Sequence, residues 1–406
     1  MDSADEIKRL RDDLSIRCRD GFPLIDSLYW ERPSPKMGGW FVRQLKPLDA
    51  PAKGSAIDLR YPTRERAPLA QVVERLKAEH HARYWYRGQR MRRHCTYRGT
   101  VPAIDRFRRG LTPIQATLEA LSPSAFRHIT DRHPALWDQF VLLPPSEYLA
   151  GPMRAIMESD EKQLHDLLLQ CLDYMVFEGA RLAMSDRVRL GYDDPLIAGG
   201  TTIARDLLNL ISIAQHYEYG SVMIDVSKDI DIAIWFATRD WNTGALAGSR
   251  DGSPGAIYRF DADRISAMMD HSISGPGATP PVMVQIMGIF GLADISGMFP
   301  FLQRPRLQQG GSLLGMENIV THLLLQMHEA AEVFPFDHDS VRGDEIGLSA
   351  EDIRPSQDKG CDIFRPDQKF SSVPITPEEL DRFLGKAGEP STTRDRLVEH
   401  RRNRVI

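Results

Sequence analysis

Three short clusters carry side chains suited to a phosphorylated ligand. The first is Tyr86-Arg87-Gly88-Gln89. A guanidinium at a strand end offers a planar two-pronged donor to phosphate, and glycine lets the backbone come close. The same residues would serve an ion pair at a turn, and Tyr97-Arg98-Gly99 repeats the triplet nearby. The second cluster is Gln215-His216-Tyr217, followed by Asp225 and Ser227 at the far end of a strand-like run. It pairs a stacking ring with hydrogen-bonding groups. His216 is equally suited to a helix end and Asp225 to a turn. The third is Arg306-Leu307-Gln308-Gln309-Gly310-Gly311, with two amides before two glycines and Glu317 the nearest acid beyond.

Other chemistries lack the spacing they need. There is no GxSxG, HExxH or GxxxxGK[ST], and no GxGxxG after a strand, so hydrolase, P-loop and Rossmann readings fall away. Cysteines at 18, 95, 171 and 361 form no CxxC. Scattered thiols point to a reduced compartment, not a disulfide framework or a zinc site, and no metal is expected.

The 406 residues carry a formal net charge of −5, which excludes a basic coat for nucleic acid over the whole surface. The charge is uneven. Nine arginines lie between Arg83 and Arg109, against one acid, Asp105. Such a run could hold a pyrophosphate, bind nucleic acid, or be a solvated face. The N-terminus is charged, with no apolar stretch of export or membrane length, so a cytoplasmic location away from membranes is expected.

These clusters need elements to position them. A short charged helix is expected over 4–17, then loops and one strand up to residue 60. Helix returns over 69–80, and the aromatic run 81–89 reads as a strand. Residues 112–200 read as mainly helical. Leu164, Leu167, Leu168, Cys171, Leu172 and Met175 mark one apolar helical face. A further helix is expected over 203–217, ended by Gly220 as its C′ residue. Strands follow at 221–226, 255–260 and 282–286, a buried helix at 230–238, and a helix over 317–334. Thr376-Pro377-Glu378-Glu379 has the pattern of a capping box, so a helix starts there, and an arginine-rich tail begins at Arg394. Helices inserted among dispersed strands give an α+β fold instead of a βαβ array. Three parts are expected: an N-terminal extension (1–68), a central domain (69–335), and a C-terminal cap with its basic tail (336–406).

Taken in order, the clusters resemble the FRG domain, a mostly bacterial family named for a Phe/Tyr-Arg-Gly motif. Tyr86-Arg87-Gly88-Gln89 is similar to its opening motif, and Pro102-Ala103-Ile104-Asp105-Arg106 to its Pro-Ser-hydrophobic-x-Arg element. Gln215-His216-Tyr217 and Asp225 with Ser227 resemble its centre. Ala233–Ala237 resembles the Ala-x-x-Phe-Ala that follows, and Gln308-Gln309-Gly310 its closing element. The resemblance covers about residues 75–335. Five positions depart from it: Glu218, Gly220, Ser221, Val222 and Val226. The family's Gly-x-Pro-Thr-Arg after Gln-His-Tyr is replaced from Glu218 to Val222, and Val226 stands where the family has Trp.

The order Arg, then Ser/Thr, then Gln/Glu resembles ADP-ribosyltransferases. That resemblance implies a small, mostly antiparallel, split sheet and NAD or a related nucleotide as ligand. It implies catalytic roles for Arg87, Ser227 and Gln308. Tyr86, Gly88, Gln89, His216, Tyr217, Asp225, Gln309 and Gly310 would line the ligand. ADP-ribose would pass to an unknown macromolecular acceptor, in a toxin or anti-phage setting. Glutamine cannot act as a general base, so Gln308 fits positioning better than proton abstraction. The alternative is a non-catalytic nucleic-acid or phospholigand-binding or sensor module that uses the arginine-dense stretch 83–109.

Overall fold

The computed structural model describes residues 56–58, 60–92, 94–102, 111–119, 121, 146–172, 206, 208–219, 221, 223–248, 252–266, 291–314, 322, 325, 326, 329–342, 347–364, 375 and 377–388. The helix expected at 4–17, the strand at 282–286, Ala103–Arg106, Gly220, Val222, Glu317 and the tail from Arg394 lie outside them. The described residues fall into two compact units. One is drawn from Pro47–Val141 and Val222–Asp358, the other from Leu142–Ser221 and Lys359–Ile406.

The first unit is mixed α and β. Its strands are β1 (Ala56–Asp58), β2 (Ala67–Pro68), β3 (Tyr84–Gln89), β4 (His94–Pro102), β5 (Leu111–Glu119), β6 (Met223–Ser227), β7 (Gly255–Asp261), β8 (Gly291–Asp294), β9 (Gly310–Leu314) and β10 (Ala331–Asp337). Seven form one sheet in the order β2-β10-β7-β3-β6-β9-β8, and three form another, β1-β5-β4. Among the described strands of the large sheet, β2 and β10 pair in parallel and the other neighbours pair antiparallel. β2, which ends at Pro68, and β10, which runs through position 335, both belong to this sheet.

The helices of this unit are α1 (Leu69–Ala78), α3 (Ile230–Thr238), α4 (Gln303–Leu307) and α5 (Ala350–Ile353). Helix α3 is apolar nearly all round, which suits full burial and little else. Asp229 caps it by accepting from the Asp231 N–H at 2.8 Å. The large sheet buries a core on each face. Trp85, Ile224, Val226, Tyr258, Phe260, Leu313 and Val333 pack on one side. Tyr86, Ile257, Phe334 and Phe336 pack on the other, with Leu69, Val72 and Leu76 of α1 and Ala233 and Ala237 of α3.

In the second unit, α2 (Ser146–Glu158), α6 (Lys359–Ile363), α7 (Pro377–Ala387) and helical stretches at 162–172 and 208–216 are described. Leu164, Leu167, Leu168, Cys171 and Leu172 are buried, as their spacing requires. Helix α7 is tied down by Arg154–Glu379 at 2.9 Å, by Lys386 on Asp160 at 2.7 Å, and by Phe383 edge-on to His165.

Two expectations are corrected. Residues 111–119 form strand β5 and not helix, because their period is two: Ile114, Ala116 and Leu118 alternate with Gln115, Thr117 and Glu119. The helix expected over 317–334 has ended by Glu329, which takes a left-handed φ of 49°, and Ala331–Asp337 is a strand rich in aromatic and branched residues. In contrast, strand 84–89, helix 230–238, strand 255–261 and the helix start at Pro377 fall where the patterns place them.

Candidate functional site

The arginine, serine and glutamine clusters arrive on three neighbouring strands, β3, β6 and β9, in the middle of the large sheet. The seam between β3 and β6 is unusual. The strands share a single paired position, Tyr86 opposite Ser227. Beyond it β3 pairs with β7 and β6 with β9. Arg87 follows directly after that pair. Its guanidinium donates from Nη1 to the Asp225 carbonyl at 2.9 Å, so a side chain bridges the seam where the ladder has stopped. Arg87 and Asp225 are both half-buried.

Strand alternation sorts the side chains by face. Tyr86, Gly88 and Ser227 stand on the α3 side. Trp85, Arg87 and Gln89 stand on the other, with Val226 and Tyr258. The Arg87 guanidinium and the Ser227 hydroxyl therefore leave the sheet on opposite faces.

Each remaining residue of the motif has a definite task. Tyr86 is core: its hydroxyl meets His80 Nδ1 at 2.9 Å, and burial pushes its pKa up to about 12. Gly88 makes room for α3. A Cβ there would lie 1.7 Å from the Ala233 carbonyl oxygen, so only glycine lets the helix sit on β3. Ser227 donates to the Gln308 carbonyl at 2.6 Å and accepts from the Asp229 N–H at 3.0 Å, joining β6 to the start of α3 and to the turn before β9. The buried Gln308 amide donates from Nε2 to the Ile353 carbonyl at 2.9 Å. Gln309 is exposed, with φ 43°, and donates to Asp229 Oδ2 at 3.2 Å. Gly310 pairs with Ser227. Next to it, a Cβ on Gly311 would meet the Trp85 ring at 2.5 Å.

Gln215, His216 and Tyr217 belong to the second unit. Tyr217 is a core residue there, stacked on Phe364 at 5.1 Å between ring centroids, while Gly360 lies against its ring. His216 is buried. The helix does not wait for Gly220 to end. Glu218 takes a left-handed φ of 69°, the Tyr219 N–H bonds to the Ala214 carbonyl, and the Glu218 N–H bonds to the Gln215 carbonyl. Those two bonds are a Schellman motif with Glu218 at C′, the position where the FRG pattern carries glycine.

Three features of this region carried little signal in the sequence. Lys228, one residue past β6, places its ammonium 5.0 Å over the Trp85 ring and pairs with Asp294. Hydrogen bonds from Lys228 and Ser296 outweigh burial and hold the Asp294 carboxyl below its usual range. Glu119, fully buried at the end of β5, accepts from Arg92 at 2.6 Å and from the Tyr258 hydroxyl at 3.1 Å. Tyr258 stands across from Arg87 in the β3–β7 ladder, and burial together with the Glu119 charge raises its pKa well above the ordinary phenol value. The charge asymmetry offered one clue, since Glu119 is the next acid after Asp105.

The arginine-dense stretch is partly spoken for inside the unit. Arg83 pairs with Asp261 at 3.1 Å, Arg90 with Asp240 at 3.6 Å and Arg92 with Glu119. No grouping of three or more His, Cys, Asp or Glu suited to a metal occurs among the described residues, and no described helix is long and apolar enough to cross a membrane. Cys171 is buried and unbridged.

Comparison of the chain with known protein families, with curated proteins and with solved structures finds no match.

Proposed function

We propose that the chain binds NAD or a related nucleotide at the β3–β6 seam and transfers ADP-ribose from it. The observation that carries this reading is the seam itself. A half-buried guanidinium stands in the middle of the sheet, where two strands part after one shared pair, and it reaches from β3 to the β6 main chain. A planar donor held there suits a phosphate or pyrophosphate. The order of the three strands supports the resemblance to ADP-ribosyltransferases, as does a mostly antiparallel sheet nearly split in two; that fold assignment is part of the proposal.

The residue roles shift within it. Arg87 anchors phosphate. Ser227 and Gln308 hold β6, the turn before β9, α3 and α5 in register, and are positioning residues. Gln309, exposed at the opening of β9, is the amide placed to meet ligand or acceptor. In the transfer, the bond between ribose C1′ and the nicotinamide nitrogen breaks and nicotinamide leaves with the bonding pair. An acceptor atom bonds C1′ and gives its proton to solvent. A toxin or defence setting is proposed on the resemblance alone.

The test is incubation of the purified chain with labelled NAD and candidate proteins or nucleic acids, beside Arg87→Ala. Nicotinamide release or label transfer that the variant loses supports the reading. No turnover or NAD binding, with salt-sensitive binding to nucleic acid, overturns it in favour of the binding module, because phosphate contacts weaken steeply with salt.

A further inference from the structure

We infer that Lys228 is a second phosphate contact at the seam, so that the site prefers a nucleoside diphosphate, bridged between Arg87 and Lys228, to a monophosphate. This rests on the nucleotide reading above. Arg87 follows Tyr86 on β3, and Lys228 follows Ser227 on β6, so the two cations flank the one pair these strands share. Tyr86 and Ser227 stand on the α3 side, and the residues after them therefore leave on the other face. The ammonium lies on that face: it sits 5.0 Å over the ring of Trp85, which shares its side of β3 with Arg87. Diagonal neighbours of this kind have Cβ atoms roughly 7–8 Å apart, a gap that two long side chains close around one diphosphate.

Lys228 is held in a way that lets it change partners. Gly311 allows the Trp85 ring to reach from β3 to β9, since a Cβ there would meet the ring at 2.5 Å. The ring is thus a fixed platform for the ammonium. Its carboxylate partner, Asp294, is 43% exposed and Lys228 37%. Such a pair is weak, because water solvates both ends, and a phosphate can replace the carboxylate at little cost. Asp294 keeps the Ser296 N–H and hydroxyl as donors when the lysine leaves. Arg92 is the contrast. Its partner Glu119 is fully buried, and parting them would strand a buried charge.

The experiment is titration calorimetry of the full chain with ADP, AMP and NAD at one ionic strength, for wild type, Lys228→Gln and Asp294→Asn, with circular dichroism confirming each fold. Wild type is expected to bind ADP roughly tenfold or more tightly than AMP. Lys228→Gln should narrow that ratio to about twofold or less by weakening ADP and leaving AMP nearly unchanged. Asp294→Asn, which removes the competing carboxylate, should tighten ADP by about threefold. Lys228→Met serves if the glutamine variant does not fold. Equal binding of ADP and AMP by wild type overturns the inference and leaves the nucleotide reading standing. So does a folded Lys228 variant that keeps the wild-type ratio, or an Asp294→Asn that does not tighten ADP. Wild type that binds none of the three nucleotides removes the nucleotide reading, and this inference with it.

Discussion

At the scale of single residues, the motif separates into one ligand candidate and several structural parts. Ser227 shows the difference. Its hydroxyl bonds at 2.6 Å and 3.0 Å tie three elements together, so Ser227→Ala should lower stability by about 1–2 kcal/mol, read as a lower urea midpoint. Glu218 is the opposite case. It holds a left-handed φ of 69° that glycine adopts without strain. Glu218→Gly should raise stability by about 1 kcal/mol, with a higher melting temperature by calorimetry. The sequence showed that Glu218 departs from the FRG pattern. It could not show that the departure falls on a C′ position, because that depends on where the helix stops. Tyr86 and Gly88 were legible as a motif but not as packing. A strand gives no hint of which face will receive a helix 140 residues later in the chain.

Elements explain why the motif clusters at all. Apolar helix α3 and short strands β6 and β7 announce themselves through their apolar, branched and aromatic composition, and Asp229 caps the start of α3. Strands β5 and β10 were hidden, the first by a helical neighbourhood and the second by the helical residues just before it. Helix α3 against β3 is the tightest contact on this route. Gly88→Ala would drive a methyl group to 1.7 Å from the Ala233 carbonyl, so the helix must lift. Overpacking of this kind costs about 1–3 kcal/mol, and this site belongs at the upper end. Thermal unfolding should show a drop of several degrees. Near-normal stability in Gly88→Ala would mean that α3 does not rest on β3 as described.

For the whole molecule, pH gives a direct handle on the buried phenols. Tyr86 is held near 12 by burial, against an ordinary 10.0, and Tyr258 is raised well above the ordinary value by burial and by Glu119. Both bind their protons more tightly folded than unfolded. The Tyr86 contribution is full below pH 10 and is lost as pH rises through 12. Urea midpoints should fall across that window, and Tyr86→Phe should flatten the fall. Net charge was a poor guide at this scale. The −5 average conceals the arginine-dense stretch, and Arg83, Arg90 and Arg92 within it meet internal acids. Those acids, Asp261, Asp240 and Glu119, lie far along the chain, so no local reading of charge could pair them.

The central claim is that Arg87 anchors a nucleotide at the seam. Its most direct test is the dissociation constant for NAD, measured by calorimetry on wild type, Arg87→Lys and Arg87→Ala at fixed salt. The account predicts binding to wild type, weakened about 10–100-fold in Arg87→Ala because a charge-assisted contact contributes about 1.5–3 kcal/mol, and only partly restored by lysine. Wild type that does not bind NAD, or a folded Arg87→Ala that binds it as well as wild type, would contradict the account.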